Sequence, residues 1–101
     1  MKKIINGKKY NTDTAVIIGY HSNGYYSNNF NYVEESLYRK KTGEFFLHGE
    51  GGAMTKYAKS SGDNWGYGEM IIPLTEQEAR SWAEKNLDCD EYENAFGEVA
   101  E

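Results

Sequence analysis

Ser36-Leu37-Tyr38-Arg39-Lys40-Lys41-Thr42-Gly43-Glu44-Phe45-Phe46-Leu47 is the stretch that decides the fold. Two short runs rich in aromatic and aliphatic residues flank a polar centre that ends in glycine, the pattern of a β-hairpin. A four-residue loop, 40–43, sets Arg39 opposite Glu44, Tyr38 opposite Phe45 and Leu37 opposite Phe46. Each such cross-strand pair contributes about 0.2–1 kcal/mol. Gly43 supplies the positive φ that the turn needs. A two-residue loop pairs Arg39 with Phe46 instead and is the less favourable register.

Outward from this hairpin, Gly49-Glu50-Gly51-Gly52 reads as a break in the strand, a bulge or a tight turn. Residues 53–58 suit a short helical turn. Met70-Ile71-Ile72 is a third strand, and Pro73 ends its pairing. Toward the N-terminus, Asn6-Gly7 between Ile4-Ile5 and Lys8-Lys9-Tyr10 predicts a first hairpin over residues 2–12. Residues 15–18 follow capping side chains and precede Gly19. They form a short helix or, being β-branched, a strand.

The last third is helical. Thr75 and Glu78 form a capping box, and Ala79, Trp82 and Ala83 recur at helical spacing. Asp88-Cys89-Asp90-Glu91 starts a second helix, with Tyr92 and Phe96 on one face and Gly97 at its end. The expected fold class is therefore α+β: a small antiparallel β-sheet, made of the two hairpins and the third segment, packed against C-terminal α-helices. It forms a single domain over residues 1–101. Ile5, Ile18, Leu37, Phe45, Leu47, Ile71, Leu74, Trp82, Ala83 and Phe96 are the expected core.

Composition narrows the function. Hydrophobic residues make up 39% of the chain, but aromatics make up 15%, with nine Tyr, so rings must serve both core and surface. The net charge of −5 divides into +4 over residues 1–59 and −9 over residues 60–101. The acidic part repels phosphate backbones and attracts basic protein surfaces. The lone Cys89 forms no internal disulfide, which fits a reducing cytoplasm. The apolar run near Met1 is too short for a signal peptide, and no run suits a membrane span.

Catalytic and metal chemistry finds no pattern. His21, His48 and Cys89 are scattered, and His48-Gly49-Glu50 lacks the cysteine pair of a zinc deaminase. The glycines at 49–52 fit no phosphate-loop spacing. Acidic neighbours make Cys89 a poor nucleophile. The pairs Glu34-Glu35 and Asp90-Glu91 read as solvated faces. No catalytic residue, metal or cofactor is expected.

Binding is better supported. Residues 20–32 and 62–68 are rich in Tyr, Asn, Ser and Gly, the mixture of adaptable binding loops. They are equally readable as turns whose rings fold inward. In the first reading Tyr25, Tyr26, Asn28, Phe30, Tyr32, Trp65 and Tyr67 contact a partner, and Glu84, Asp90 and Glu91 on the helices attract it. The alternative is a nucleic-acid-binding accessory protein, with a basic patch of Lys2, Lys3, Lys8, Lys9, Arg39, Lys40 and Lys41 and Tyr rings stacked on bases.

Several segments carry a resemblance: residues 6–15, Ser22-Asn23-Gly24-Tyr25, residues 37–47, Gly49-Glu50-Gly51-Gly52-Ala53 and Ile71-Ile72-Pro73-Leu74-Thr75. Together they resemble a family of small proteins borne by phages, plasmids and conjugative elements of Gram-positive bacteria. The resemblance implies an anti-CRISPR or anti-restriction role in the bacterial cytoplasm. The partner it implies is a host defence nuclease or CRISPR effector complex, bound stoichiometrically. It brings no catalytic or binding residues. Trp65-Gly66-Tyr67-Gly68 departs from the Trp-Ser-Gly-Gly run usual in such proteins, and Tyr20 stands where Trp is common, so partner choice can differ.

Overall fold

The computed structural model describes residues 1–101 and is an α+β fold. Strands β3 (Val16–Ser22), β4 (Val33–Arg39), β5 (Phe45–Gly51) and β8 (Gly68–Leu74) form an antiparallel sheet in the order β3-β4-β5-β8. Two ribbons stand apart from it, β1 (Lys2–Ile5) with β2 (Lys8–Asn11) and β6 (Lys59–Ser61) with β7 (Asn64–Gly66). Helices α1 (Glu76–Asn86) and α2 (Cys89–Phe96) close the chain. No helix is long and apolar enough to cross a membrane.

The sheet differs from expectation in membership. The first hairpin forms as Asn6-Gly7 dictates, both turn residues having positive φ, but it pairs only with itself. The fourth sheet strand is β3: Val16-Ile17-Ile18 is extended, and Gly19 lies within the strand. A Cβ on Gly19 would sit 2.5 Å from Leu87 Cδ2, so glycine here admits the side chain that follows α1 and stops nothing.

The central hairpin forms in a different register. Arg39 faces Phe45, Tyr38 faces Phe46 and Leu37 faces Leu47. The Lys40 N–H donates to the Glu44 carbonyl at 2.7 Å, and Gly43 takes φ 93° inside a three-residue loop. The physical reason is side-chain parity, since a one-residue slip exchanges the two faces of a strand. The observed register gathers Leu37, Phe45 and Leu47 on one face, against Ala79 and Ala83 of α1. It leaves Tyr38 and Phe46 on the other, against Tyr10 and Ile5 of the first ribbon. Phe46 is fully buried, stacked on Tyr38 at 5.1 Å and edge-on to Tyr10 at 5.5 Å. Of the expected core, Ile5, Ile18, Leu74, Trp82 and Phe96 are only partly buried. Tyr10, Tyr32, Phe46 and Tyr57 are buried residues that the expectation omitted.

Four further expectations are corrected. The glycines at 49–51 do not break β5, which runs through to Gly51. The Tyr57 side chain lies across Gly49, in the space a Cβ would fill, and Thr55 lies on Gly51. Residues 53–58 form successive turns rather than a helix, and residues 59–66 form a ribbon rather than a loop. Pro73 does not end pairing: it lies opposite Phe46 in β8. An edge strand tolerates proline because its outer N–H positions need no partner.

Both helices begin as expected. Thr75 accepts from the Glu78 N–H at 3.1 Å while Glu78 accepts from the Thr75 N–H at 2.8 Å. Asp88 and Glu91 repeat the arrangement in α2. Tyr92 and Phe96 meet at 5.0 Å, and Phe96 reaches Phe45 at 5.6 Å.

Candidate functional site

Strand alternation puts Ser22, Glu34, Glu50 and Glu69 in one row across all four strands of the sheet. The row lies on the face that carries Phe46, but at the far end of the strands. The first ribbon covers only the Phe46 end, and the helices cover the other face. Tyr20, Ser36, His48 and Ile71 form the next row. A shallow cavity of about 170 Å³ opens there between Tyr20, Glu34, Ser36, His48 and Glu50.

Like charges directly across neighbouring strands repel, so this row requires compensation. Phenols supply it. The Tyr20 hydroxyl donates to Glu34 at 2.5 Å, and the Tyr32 hydroxyl donates to Glu50 at 2.6 Å. Tyr67 donates to the other Glu50 oxygen. His48 Nε2 lies 3.0 Å from Glu69. The bonds from Tyr32 and then Tyr67 hold the Glu50 carboxyl below its usual range. The bond to Glu50 pushes Tyr67 up to about 12. Burial, followed by bonds to Glu34 and Glu50, raises Tyr32 still further. At neutral pH Glu50 is therefore an ionised acceptor held by protonated donors.

Loop 23–32 borders this row. Asn23 braces the loop: its amide donates to the Asn31 carbonyl at 2.7 Å, and its side-chain oxygen accepts from the Val33 N–H at 3.1 Å. The loop packs on residues 52–54. The Gly52 N–H donates to the Tyr32 carbonyl and the Met54 N–H to the Phe30 carbonyl, both at 2.9 Å. A Cβ on Gly52 would meet the carbonyls of Asn29 and Phe30. Backbone fixed in this way still presents Tyr25, Tyr26, Phe30 and Met54 to solvent, with Tyr26 85% exposed.

The residues chosen from sequence divide into three groups. Tyr25, Tyr26, Asn28 and Phe30 are exposed on loop 23–32, Trp65 is exposed on β7, and Tyr67 is exposed with its hydroxyl on Glu50. Tyr32 is not a contact surface: it is 4% exposed and serves to hold Glu50. Glu84, Asp90 and Glu91 are exposed, but on helices packed against the opposite face, and Glu91 closes the α2 capping box. The structure therefore does not bring the acidic helices together with the carboxylate row.

Glu34, Glu50 and Glu69 were missed because Glu34-Glu35 reads as one solvated pair. In a strand, adjacent residues face opposite sides, and that signal separates them. Glu34 joins the open row, while Glu35 turns inward toward α1. There Glu35 accepts from the Tyr57 hydroxyl at 2.5 Å and the Trp82 indole N–H at 2.9 Å, with the Lys56 ammonium at 3.1 Å. Desolvation is the largest influence on Glu35 and raises it. The bonds from Tyr57, Trp82 and Lys56 together outweigh it and leave the carboxyl below its usual range.

The fold and this surface define a class, an α+β domain with an acidic, ring-bordered open sheet end. No protein-family profile, curated protein or solved structure matches the chain.

Proposed function

We propose that this chain is a binding protein that engages a basic protein surface through the open end of its sheet. The observation that carries the reading is the row of Glu34, Glu50 and Glu69, the first two held by phenol hydrogen bonds and the third by His48, beside exposed rings. Ionised carboxylates on a rigid sheet accept from Lys and Arg side chains with little ordering cost. Exposed Tyr26, Phe30, Trp65 and Tyr67 add the apolar anchors that dominate interface energetics. Glu84, Asp90 and Glu91 add longer-range attraction from the helix side.

The partner is proposed to be a nucleic-acid-handling enzyme of bacterial defence, a nuclease or CRISPR effector complex, inhibited stoichiometrically by a protein of a mobile element. Support comes from the resemblance given above and from the chemistry, since a groove that holds nucleic acid is basic. Capture from a bacterial lysate followed by mass spectrometry should recover such an enzyme, and expression should protect a phage or plasmid. Recovery of no defence protein together with no protection would overturn this part.

A nucleic-acid accessory role is the second reading, favoured by the gathering of Lys8, Lys40 and their neighbours around Glu44. Arg39 does not join them, because its guanidinium donates to the Ala95 carbonyl at 3.2 Å. A gel shift at two salt concentrations separates the readings, since phosphate contacts weaken steeply with salt.

A further inference from the structure

At the other end of the sheet, two segments distant in sequence converge, residues 9–14 and residues 40–42. Lys9 and Asn11 come from β2, Thr14 from the turn after it, and Lys40, Lys41 and Thr42 from the β4–β5 loop. Together they line a cavity of about 220 Å³ without a single carboxylate. We propose that this cavity is an oxyanion site that takes a phosphate group. The inference stands apart from the protein-binding reading, because it uses none of the residues of the open end.

Positive charge at this opening is held in place and exceeds the carboxylate charge that meets it. Lys40 is held in place: its ammonium lies 4.3 Å over the Tyr10 ring and 3.3 Å from Glu44. Glu44 is shared with Lys8 at 2.8 Å, so one carboxylate serves two ammonium groups and leaves them in excess. Lys9 and Lys41 make no ion pair at all. The Asn11 side-chain oxygen accepts from the Asp13 N–H at 2.9 Å, so its amide NH₂ remains a donor for a ligand. Asp13 is the nearest opposing charge in sequence and is not part of the lining. Three ammonium groups and an amide donor around one opening suit a multiply charged oxyanion with several acceptor oxygens. The hydroxyls of Thr42 and Thr14 donate to Glu44 and to the Asn11 carbonyl, so they shape the wall and leave charge recognition to the lysines.

The test is an amide-shift titration of the whole chain with inorganic phosphate, with chloride at equal ionic strength as control. A second arm uses a short oligothymidylate. Saturable shifts should appear at Lys9, Asn11, Thr14, Lys41 and Thr42, and not at Lys59 or Lys85. The double substitution Lys9→Gln/Lys41→Gln should weaken the binding roughly tenfold or more, as expected for losing two charge-assisted hydrogen bonds, while the unfolding midpoint stays unchanged. Tighter binding of the oligothymidylate names a phosphodiester chain as the source, and equal or weaker binding names a free phosphate compound; both retain the site. Shifts that chloride reproduces, that spread equally to Lys59 and Lys85, or that survive the double substitution would overturn it.

Discussion

The two ends of one sheet are built on different terms. Near the β4–β5 loop both faces are covered: Leu37, Phe45 and Leu47 lie under α1, and Phe46 lies under the first ribbon. About 20 Å along the same strands, one face is covered and the other carries Glu34, Glu50 and Glu69. Helix-side positions there include three glycines, Gly49, Gly51 and Gly68, over which Thr55 and the chain around Tyr57 lie. The closed end supplies stability through buried apolar area. The open end is kept in shape by phenol-to-carboxylate hydrogen bonds, which leave acceptors and rings facing water.

The comparison is most exposed to substitution at the closed end. Phe46→Ala should remove about 3–5 kcal/mol of stability, the usual cost of deleting a buried aromatic, as read by chemical denaturation. A loss below about 1 kcal/mol would mean that the ribbon and Phe46 are not the second core. Next in size is the inward-facing acid. Glu35→Ala strands the Tyr57 hydroxyl and the Trp82 N–H, and should cost about 3 kcal/mol. Gly49→Ala should follow at about 1–3 kcal/mol, because the new methyl must displace Tyr57.

The two ends also titrate at opposite limits. Glu44, at the closed end, is drawn down to about 2, first by its hydrogen bond from Lys8 and then by that from Lys40. Its contribution is complete above the ordinary value of 4.5 and is lost as pH falls toward 2. Tyr67, at the open end, lies at about 12 against an ordinary 10.0. Its contribution is complete below about 10 and is lost as pH rises through 12. Glu44→Gln should therefore flatten the acid limb of a stability-versus-pH curve, and Tyr67→Phe the alkaline limb. An exchange of the two effects would contradict the assignments.

Much of this was legible in the residues. Asn6-Gly7, the Thr75/Glu78 capping box, the helix start at Asp88 and the Tyr92/Phe96 pair each carry their own local signal, and each appears where it was expected. The central register was not legible, because Lys40 and Glu44 bond across an odd loop that pairwise side-chain preferences do not weigh. The glycines of β5 were misread for a related reason. A glycine that makes room for Tyr57 looks the same in sequence as one that ends a strand, and only the residue crossing it tells them apart. The candidate surface was half visible: composition pointed to Tyr25, Tyr26, Phe30, Trp65 and Tyr67, and all five are exposed. The row of Glu34, Glu50 and Glu69 depends on two strand pairings that no local pattern reveals.

The smallest expected change in stability is also the most telling. Tyr26→Ala/Phe30→Ala/Trp65→Ala alters only exposed rings, so its unfolding free energy should stay within about 0.5 kcal/mol per site of the parent. Capture of partner proteins from a bacterial lysate by this variant and by the parent chain, side by side, tests the account most directly. The account predicts that the parent retains a basic protein partner and the folded triple variant does not. An identical set of captured proteins for both would contradict it.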